Sequence, residues 1–433
     1  MPHAIDTGDT AWILVSSALV LLMFPGLALF YGGLVRTKNV LSTFMHTFVA
    51  LGLITLQWTI LGYSLSFGTS VGGFIGNLDF ALLRGVGLEP SAGMTIPHLL
   101  FVVYQLVFAA ITPALISGAY AERMKFSGFA LFTVLWATLI YDPVAHWMWG
   151  NGGWLKELGA LDFAGGIVVH VSSGLSALVA ALVVGKRRGW PKEKMLPHNL
   201  TMTMLGAGLL WVGWFGFNGG SALGANGQAV LAVANSQLAA SAGALVWIAI
   251  DLKRFGRASA LGFASGFVAG LATVTPASGY VSPMAAVVIG AAAGTVCYGG
   301  ILLKERFSYD DTLDAFGVHG VGGILGSLLL GVFATKLLNP SGADGALHGN
   351  VRFLGVQALA VGVTVAWSLV GTWALLKLVD KVVGLRVTSY HEGEGLDVNL
   401  HGEPGYAFGA ASHGHSMRED EELDVSQSMS ATG

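Results

Sequence analysis

Of the chain's 433 residues, 54% are hydrophobic and only 11% charged, against roughly 25% charged in soluble domains; an ordinary water-soluble fold is excluded, and 62 dispersed glycines exclude collagen or a flexible linker. The net charge of -3, with basic residues scattered between apolar runs, carries no nucleic-acid signature. A single cysteine, Cys297, allows no intrachain disulfide, redox pair or cysteine metal cluster.

Residues 1–10 contain no Lys or Arg, unlike the basic start of a secretory signal, so the first apolar run reads as a true span. About 20 apolar residues cross the hydrocarbon core. On that basis the chain predicts an all-α polytopic membrane protein with eleven spans, near 11–35, 40–67, 98–121, 126–146, 163–185, 200–220, 229–250, 259–277, 282–303, 316–335 and 353–379. An odd number puts the termini on opposite sides. Lys and Arg fix which is which: 18 of the 22 lie on one side, leaving Arg84, Lys156, Lys336 and Arg352 on the other. The expectation is an N-terminus outside and a cytoplasmic C-terminus.

The connection 68–97 is rich in glycine, and 146–162 holds Trp147, Trp149 and Trp154. Trp147 and Trp154 read as residues of the interfacial aromatic belt. The bundle is expected to end near 383, and residues 384–433 form a tail of sharply different composition whose last part, Ser412 to Gly433, reads as disordered.

Two histidines stand where lipid depth forbids them. His170 follows Asp162-Phe163-Ala164-Gly165-Gly166 inside a run with no charge before Lys186, and His319 follows Asp310-Asp311-Thr312-Leu313-Asp314 and opens the tenth span. An ionisable group at membrane depth is a functional candidate by default. The bland reading, a histidine bonded to a neighbouring helix, weakens when two occur, each preceded by aspartate. The fifth and tenth spans enter from opposite faces, so five spans per half suggest an inverted repeat with a site between the halves, plus one added helix. Gly165, Gly166 and Gly174, with Gly317, Gly320, Gly322, Gly323 and Gly326, would let the two histidine helices approach closely.

Aromatic groups sit toward the outer ends of other spans: Phe108 in the third, and Phe217 with Ser221 at i,i+4 closing the sixth. Aromatic faces attract cations by about 0.5–2 kcal/mol, although aromatics at such depths are mostly packing residues.

Together, Phe30-Tyr31-Gly32-Gly33-Leu34-Val35-Arg36, Ala121-Glu122-Arg123, Asp162-Phe163-Ala164-Gly165-Gly166 with His170, Trp211-Val212-Gly213-Trp214-Phe215-Gly216-Phe217-Asn218, Phe316-Gly317-Val318-His319-Gly320 and Gly395-Leu396-Asp397 with His401-Gly402-Glu403 resemble the Amt/Mep/Rh ammonium transporters, specifically the bacterial Amt branch. The resemblance covers nearly the whole chain. It implies two five-helix halves in inverted topology plus an eleventh helix, a homotrimer in the inner (cytoplasmic) membrane, and one pore per subunit. It also implies ammonium recruitment by Phe108, Trp149 and Ser221, a gate of Phe108 and Phe217, pore residues His170, His319 and Trp214, and a supporting role for Asp162. No cofactor is implied. Residues 385–406 resemble a regulatory tail that a nitrogen-regulatory PII protein engages at the cytoplasmic face.

Electrostatics favours such a pore. A bare charge at bilayer centre costs about 2.5 to more than 10 kcal/mol. Removing a proton from an amine with lysine's pKa of about 10.4 costs roughly 4–5 kcal/mol at neutral pH, so ammonium can shed its proton and cross as ammonia. Potassium has no proton to shed. Two other classes are weaker. An ammonium sensor signalling through the tail would have only about fifty residues to signal with. An enzyme would need a nucleophile or ligand set beside His170 and His319, and the pattern offers none. Asp310, Asp311 and Asp314 read as helix-entry charges rather than an ion site, and His391, His401, His413 and His415 as solvated side chains.

Overall fold

The computed structural model describes residues 4–91 and 93–406; His413, His415 and Arg418 lie outside them. Its helices are α1 (Thr7–Leu34), α2 (Thr37–Phe67), α3 (His98–Tyr120), α4 (Phe126–Glu157, interrupted at 150–153), α5 (Gly166–Val184), α6 (Leu200–Gly220), α7 (Gly227–Phe255), α8 (Ala260–Val274), α9 (Pro283–Phe307), α10 (Phe316–Phe333) and α11 (Val351–Val382). Ten are long and apolar enough to cross a bilayer.

The helix starts follow capping chemistry. Asp6, Asn199, Asn226, Ser259, Ser282 and Asn350 each accept a hydrogen bond from the backbone N–H three residues on, satisfying donors that a helix leaves orphaned. One helix is shorter than its apolar run. Composition predicts a span over 259–277, but α8 has 15 residues and stops at Val274. Pro276, which has no N–H to continue the ladder, instead packs beside Gly166 at the start of α5; a Cβ on that glycine would lie 2.4 Å from the proline ring.

The helices pair as an inverted repeat requires. The first members of the two halves, α1 and α6, meet through glycine: a Cβ on Gly206 would lie 2.3 Å from Phe30 N and 2.6 Å from Gly26 O. The fifth members, α5 and α10, do the same, since a Cβ on Gly174 would lie 2.0 Å from Gly320 N. Backbone contact at this range is available only to glycine. Both α5 and α10 open in a wide i→i+5 turn, Gly166–Val171 and Phe316–Gly320, and each turn carries one of the two histidines. Such turns recur at functional sites because they redirect a side chain without ending the helix.

After α11 the chain forms a short helix, Ser389–Glu394, and a wide turn, Asp397–His401. This segment is docked on the bundle. Asp397 accepts from Leu41 and Ser42 N–H, Leu396 N donates to Asn39 Oδ1, and Lys125 N donates to Leu385 O.

Candidate conduction pathway

At one end of the bundle lies a cavity of about 810 Å³ whose lining includes Phe108, Trp149, Asp162 and Ser221. Trp149 is held from behind: its indole N–H donates to Asp162 O at 2.9 Å. The Asp162 carboxylate in turn accepts four backbone N–H groups, from Gly165, Gly166, Ile167 and Val168, at 2.7–3.0 Å. One side chain thus caps the whole first turn of α5 and fixes the indole. Gly165 makes the tight turn possible with φ +107°, a region open to glycine at little cost.

Helix α6 extends to Gly220, so Ser221 sits one turn beyond Phe217 as the i,i+4 spacing requires, and its hydroxyl donates to Phe217 O at 2.8 Å. Tyr104 OH lies 3.0 Å from both Gly216 O and Phe217 O, tying α3 to the end of α6.

Phe108 and Phe217 are each 1% exposed and stack with ring centroids 4.2 Å apart and planes inclined by 29°. Phe108 lines the large cavity and Phe217 lies behind it. Next to Phe217, the His170 ring is nearly parallel to its aromatic neighbours, with interplanar angles of 24° to Phe217 and 26° to Trp214. His170 lies 6.1 Å from Phe217 and 5.6 Å from Trp214, and His319 lies 5.1 Å from His170 with an interplanar angle of 17°. Trp214 is anchored by its indole N–H to Thr275 Oγ1 at the end of α8, 2.9 Å away. The imidazoles face each other Nδ1 to Nδ1 at 3.2 Å. Such a contact requires one N–H and one lone pair, so the two rings share a single proton along it. His170 Nε2 is buried with no protein partner.

A second cavity, of about 20 Å³, is lined by Phe217, Leu27, Ile111, Val169, Leu210 and Trp214 as well as the two imidazoles. A space of roughly 10–15 Å³ holds one water, so this one takes a single water-sized molecule among apolar walls. A hydrated ion does not fit.

Of the residues singled out from sequence, Trp149, Ser221 and Phe108 line the large cavity, Phe217, Trp214, His170 and His319 line the small one, and the Phe108–Phe217 stack joins the two sets. The tryptophan expectation needs correction: Trp147 is 1% exposed, not an interfacial belt residue. It donates to Phe74 O and packs on Trp367 at 5.5 Å, while Trp154 lies half-buried 6.0 Å from it.

At the far end from the large cavity, the acidic residues are spent on structure. Asp311 accepts from Ala315 and Phe316 N–H at the start of α10, and Asp314 pairs with Lys304. Asp310 takes Arg187 bidentately at 2.8 and 2.9 Å. His391 is half-buried, and His401, also half-buried, meets Phe126 edge-on at 5.2 Å. Among the described residues no group of three or more His, Cys, Asp or Glu is placed to hold a metal ion.

Three features escaped the sequence reading. Glu122 is fully buried and bridges Arg36 and Arg187, both at 2.9 Å. Burial pushes its pKa up, but the two guanidiniums outweigh that and hold it below the ordinary value. Asp142, fully buried inside α4, accepts from Gln57 Nε2 at 2.7 Å; its signal was a carboxylate within the apolar run 126–146. Gln105, one turn before Phe108, lines the large cavity.

The family model described as "Ammonium Transporter Family" matches residues 11–406. An ammonium transporter of Bacillus subtilis is 48% identical over 403 residues, covering 92% of this chain and 98% of the relative. Among solved structures, Saccharomyces cerevisiae Mep2 superposes with a TM-score of 0.83 at 39% identity, covering 89% of this chain and 91% of that one. A protein described as a sensor Amt protein gives 0.85 at 32% identity, covering 91% and 98%. With its apolar helices, glycine-paired halves and aligned rings, this chain is a multi-pass membrane protein that belongs to the ammonium transporter family.

Proposed function

We propose that this protein takes up ammonium by admitting the cation to the large cavity, removing its proton at the Phe108–Phe217 pair, conducting ammonia past His170 and His319, and passing the released proton separately along that imidazole pair, so that one positive charge moves with each ammonia. The observation that carries the reading is the single-molecule space lined by Phe217 of the closed phenylalanine stack and by a proton-sharing imidazole pair. Trp149 and Phe108 offer π faces and Ser221 an oxygen to the arriving cation. Ser221 donates its own proton to Phe217 O, so it meets ammonium as an acceptor. At the gate, holding a bare charge and deprotonating an amine cost similar amounts, a few kcal/mol each, which makes proton loss a workable route for ammonium and leaves potassium outside. Trp214 holds the imidazoles in line, and reprotonation follows at the far mouth.

The Lys/Arg bias supports an orientation with the large cavity outside and the docked tail in the cytoplasm; the family resemblance supports the inner (cytoplasmic) membrane and three subunits with separate pores. PII control fits a tail that contacts the first two basic loops. Co-purification with PII in ADP, and its loss in 2-oxoglutarate, tests that partner.

The rival reading is an ammonium sensor signalling through the tail; the same bundle would serve it. Purified protein in liposomes on a solid-supported membrane separates the two. Charge displacement after an ammonium jump, saturating with concentration, supports transport, and none at any concentration refutes it.

A further inference from the structure

We propose that Gln105 is a direct ligand of ammonium in the outer cavity, a second oxygen acceptor beside Ser221; this rests on the transport reading above. Gln105 and Phe108 are three residues apart on α3 and so share a face, and both line the same cavity as Ser221 and Trp149. Gln105 is 9% exposed, and its Oε1 is buried without any partner in the protein. An amide oxygen left unpaired in a buried place is costly, and a ligand that donates a hydrogen bond removes the cost on arrival. The adjacent polar group does not compete for this role. Tyr104 is fully buried and its hydroxyl lies against Gly216 O and Phe217 O, leaving Gln105 as the polar group that this turn of α3 presents to the cavity.

Ammonium carries four tetrahedral N–H donors and must surrender its water before the closed phenylalanine stack. Ser221 Oγ and Gln105 Oε1 supply two oxygens; Phe108 and Trp149 supply two π faces. Two oxygens and two rings match four N–H groups, but they are a poor shell for potassium, which needs more oxygens and makes no hydrogen bonds. Methylammonium has one N–H fewer and so gains less from the second oxygen.

The test compares ammonium-evoked currents from proteoliposomes of the wild type, Gln105→Leu, Gln105→Glu and Ser221→Ala. Losing one hydrogen bond to a charged group should raise half-saturating ammonium about tenfold in Gln105→Leu, with a smaller rise for methylammonium. Gln105→Glu, which keeps an acceptor, should stay at or below the wild-type value. If the leucine variant does not fold, Gln105→Asn, which withdraws the amide by one methylene, should shift half-saturation in the same direction. An unchanged half-saturation, equal shifts in the Leu and Glu variants, or a fall in saturating current alone would overturn the assignment. A wild type without ammonium current would defeat the transport reading itself, whereas a shift in Ser221→Ala but not in Gln105→Leu would defeat only this one.

Discussion

Gly174→Ala changes neither histidine, yet it should disable the pair. A Cβ at this position would meet Gly320 N at 2.0 Å, Gly320 Cα at 2.2 Å and His319 C at 2.9 Å. All three are backbone atoms, so no rotamer change relieves the clash. Restoring ordinary contact at 3.4 Å requires α5 and α10 to part by roughly 1.4 Å if nothing else yields. The imidazoles are 3.2 Å apart across the same interface, and such a separation takes them beyond hydrogen-bond range. Overpacking a membrane-helix contact costs about 1–3 kcal/mol, and misplacing a functional group by about 1 Å can cost 10²-fold. Thermal unfolding in detergent should therefore fall by several degrees, and ammonium flux into liposomes by about 10- to 100-fold. A variant with wild-type melting and flux within twofold would show that the glycine contact does not set the histidine spacing.

Glu122→Gln takes one of two carboxylates from buried Arg187, which keeps Asp310, and the carboxylate from half-buried Arg36; with Asp310 retained the cost should be at or below that of a broken buried pair, about 3–5 kcal/mol, seen as a lower melting temperature. Because the two guanidiniums hold Glu122 below its ordinary pKa against the effect of burial, its contribution is present above the unfolded value and is lost as pH falls through the lower folded one. Asp311 behaves oppositely: burial and the neighbouring Asp314 push it up to about 6, so its contribution is full below the ordinary value of 3.8 and is lost as pH rises through about 6. Asp311→Asn should accordingly flatten the melting-temperature profile between about pH 4 and 6 and gain stability relative to wild type above it; an unchanged profile would contradict the assignment. Asp162→Ala strands four backbone N–H groups and should cost at least the upper end of a cap, about 2 kcal/mol, and raise half-saturating ammonium as Trp149 loosens. Full retention of both would remove Asp162 from its supporting role.

The bundle was legible because hydropathy and the Lys/Arg bias are properties of single segments. The histidine pair was legible for a related reason: each ring follows an aspartate, and glycines on both helices allow close approach. What stayed hidden depends on residues far apart in the chain. Glu122 reads as a helix-end charge until Arg36 and Arg187 arrive from other loops. Trp147 has the composition of an interfacial residue whether it faces lipid or, as here, Phe74 and Trp367. The early end of α8 depends on where Pro276 packs, and the sequence carries the proline but not its partner, Gly166.

The central claim, that ammonium crosses only as ammonia with its proton carried separately, is tested most directly by potassium. Ion jumps on a solid-supported membrane, with wild type and the His170→Ala/His319→Ala double variant side by side, should give ammonium current and no potassium current in the wild type. Potassium current should appear once two missing imidazoles leave room for water along the passage. Potassium and ammonium currents of equal size in the wild type would contradict the account.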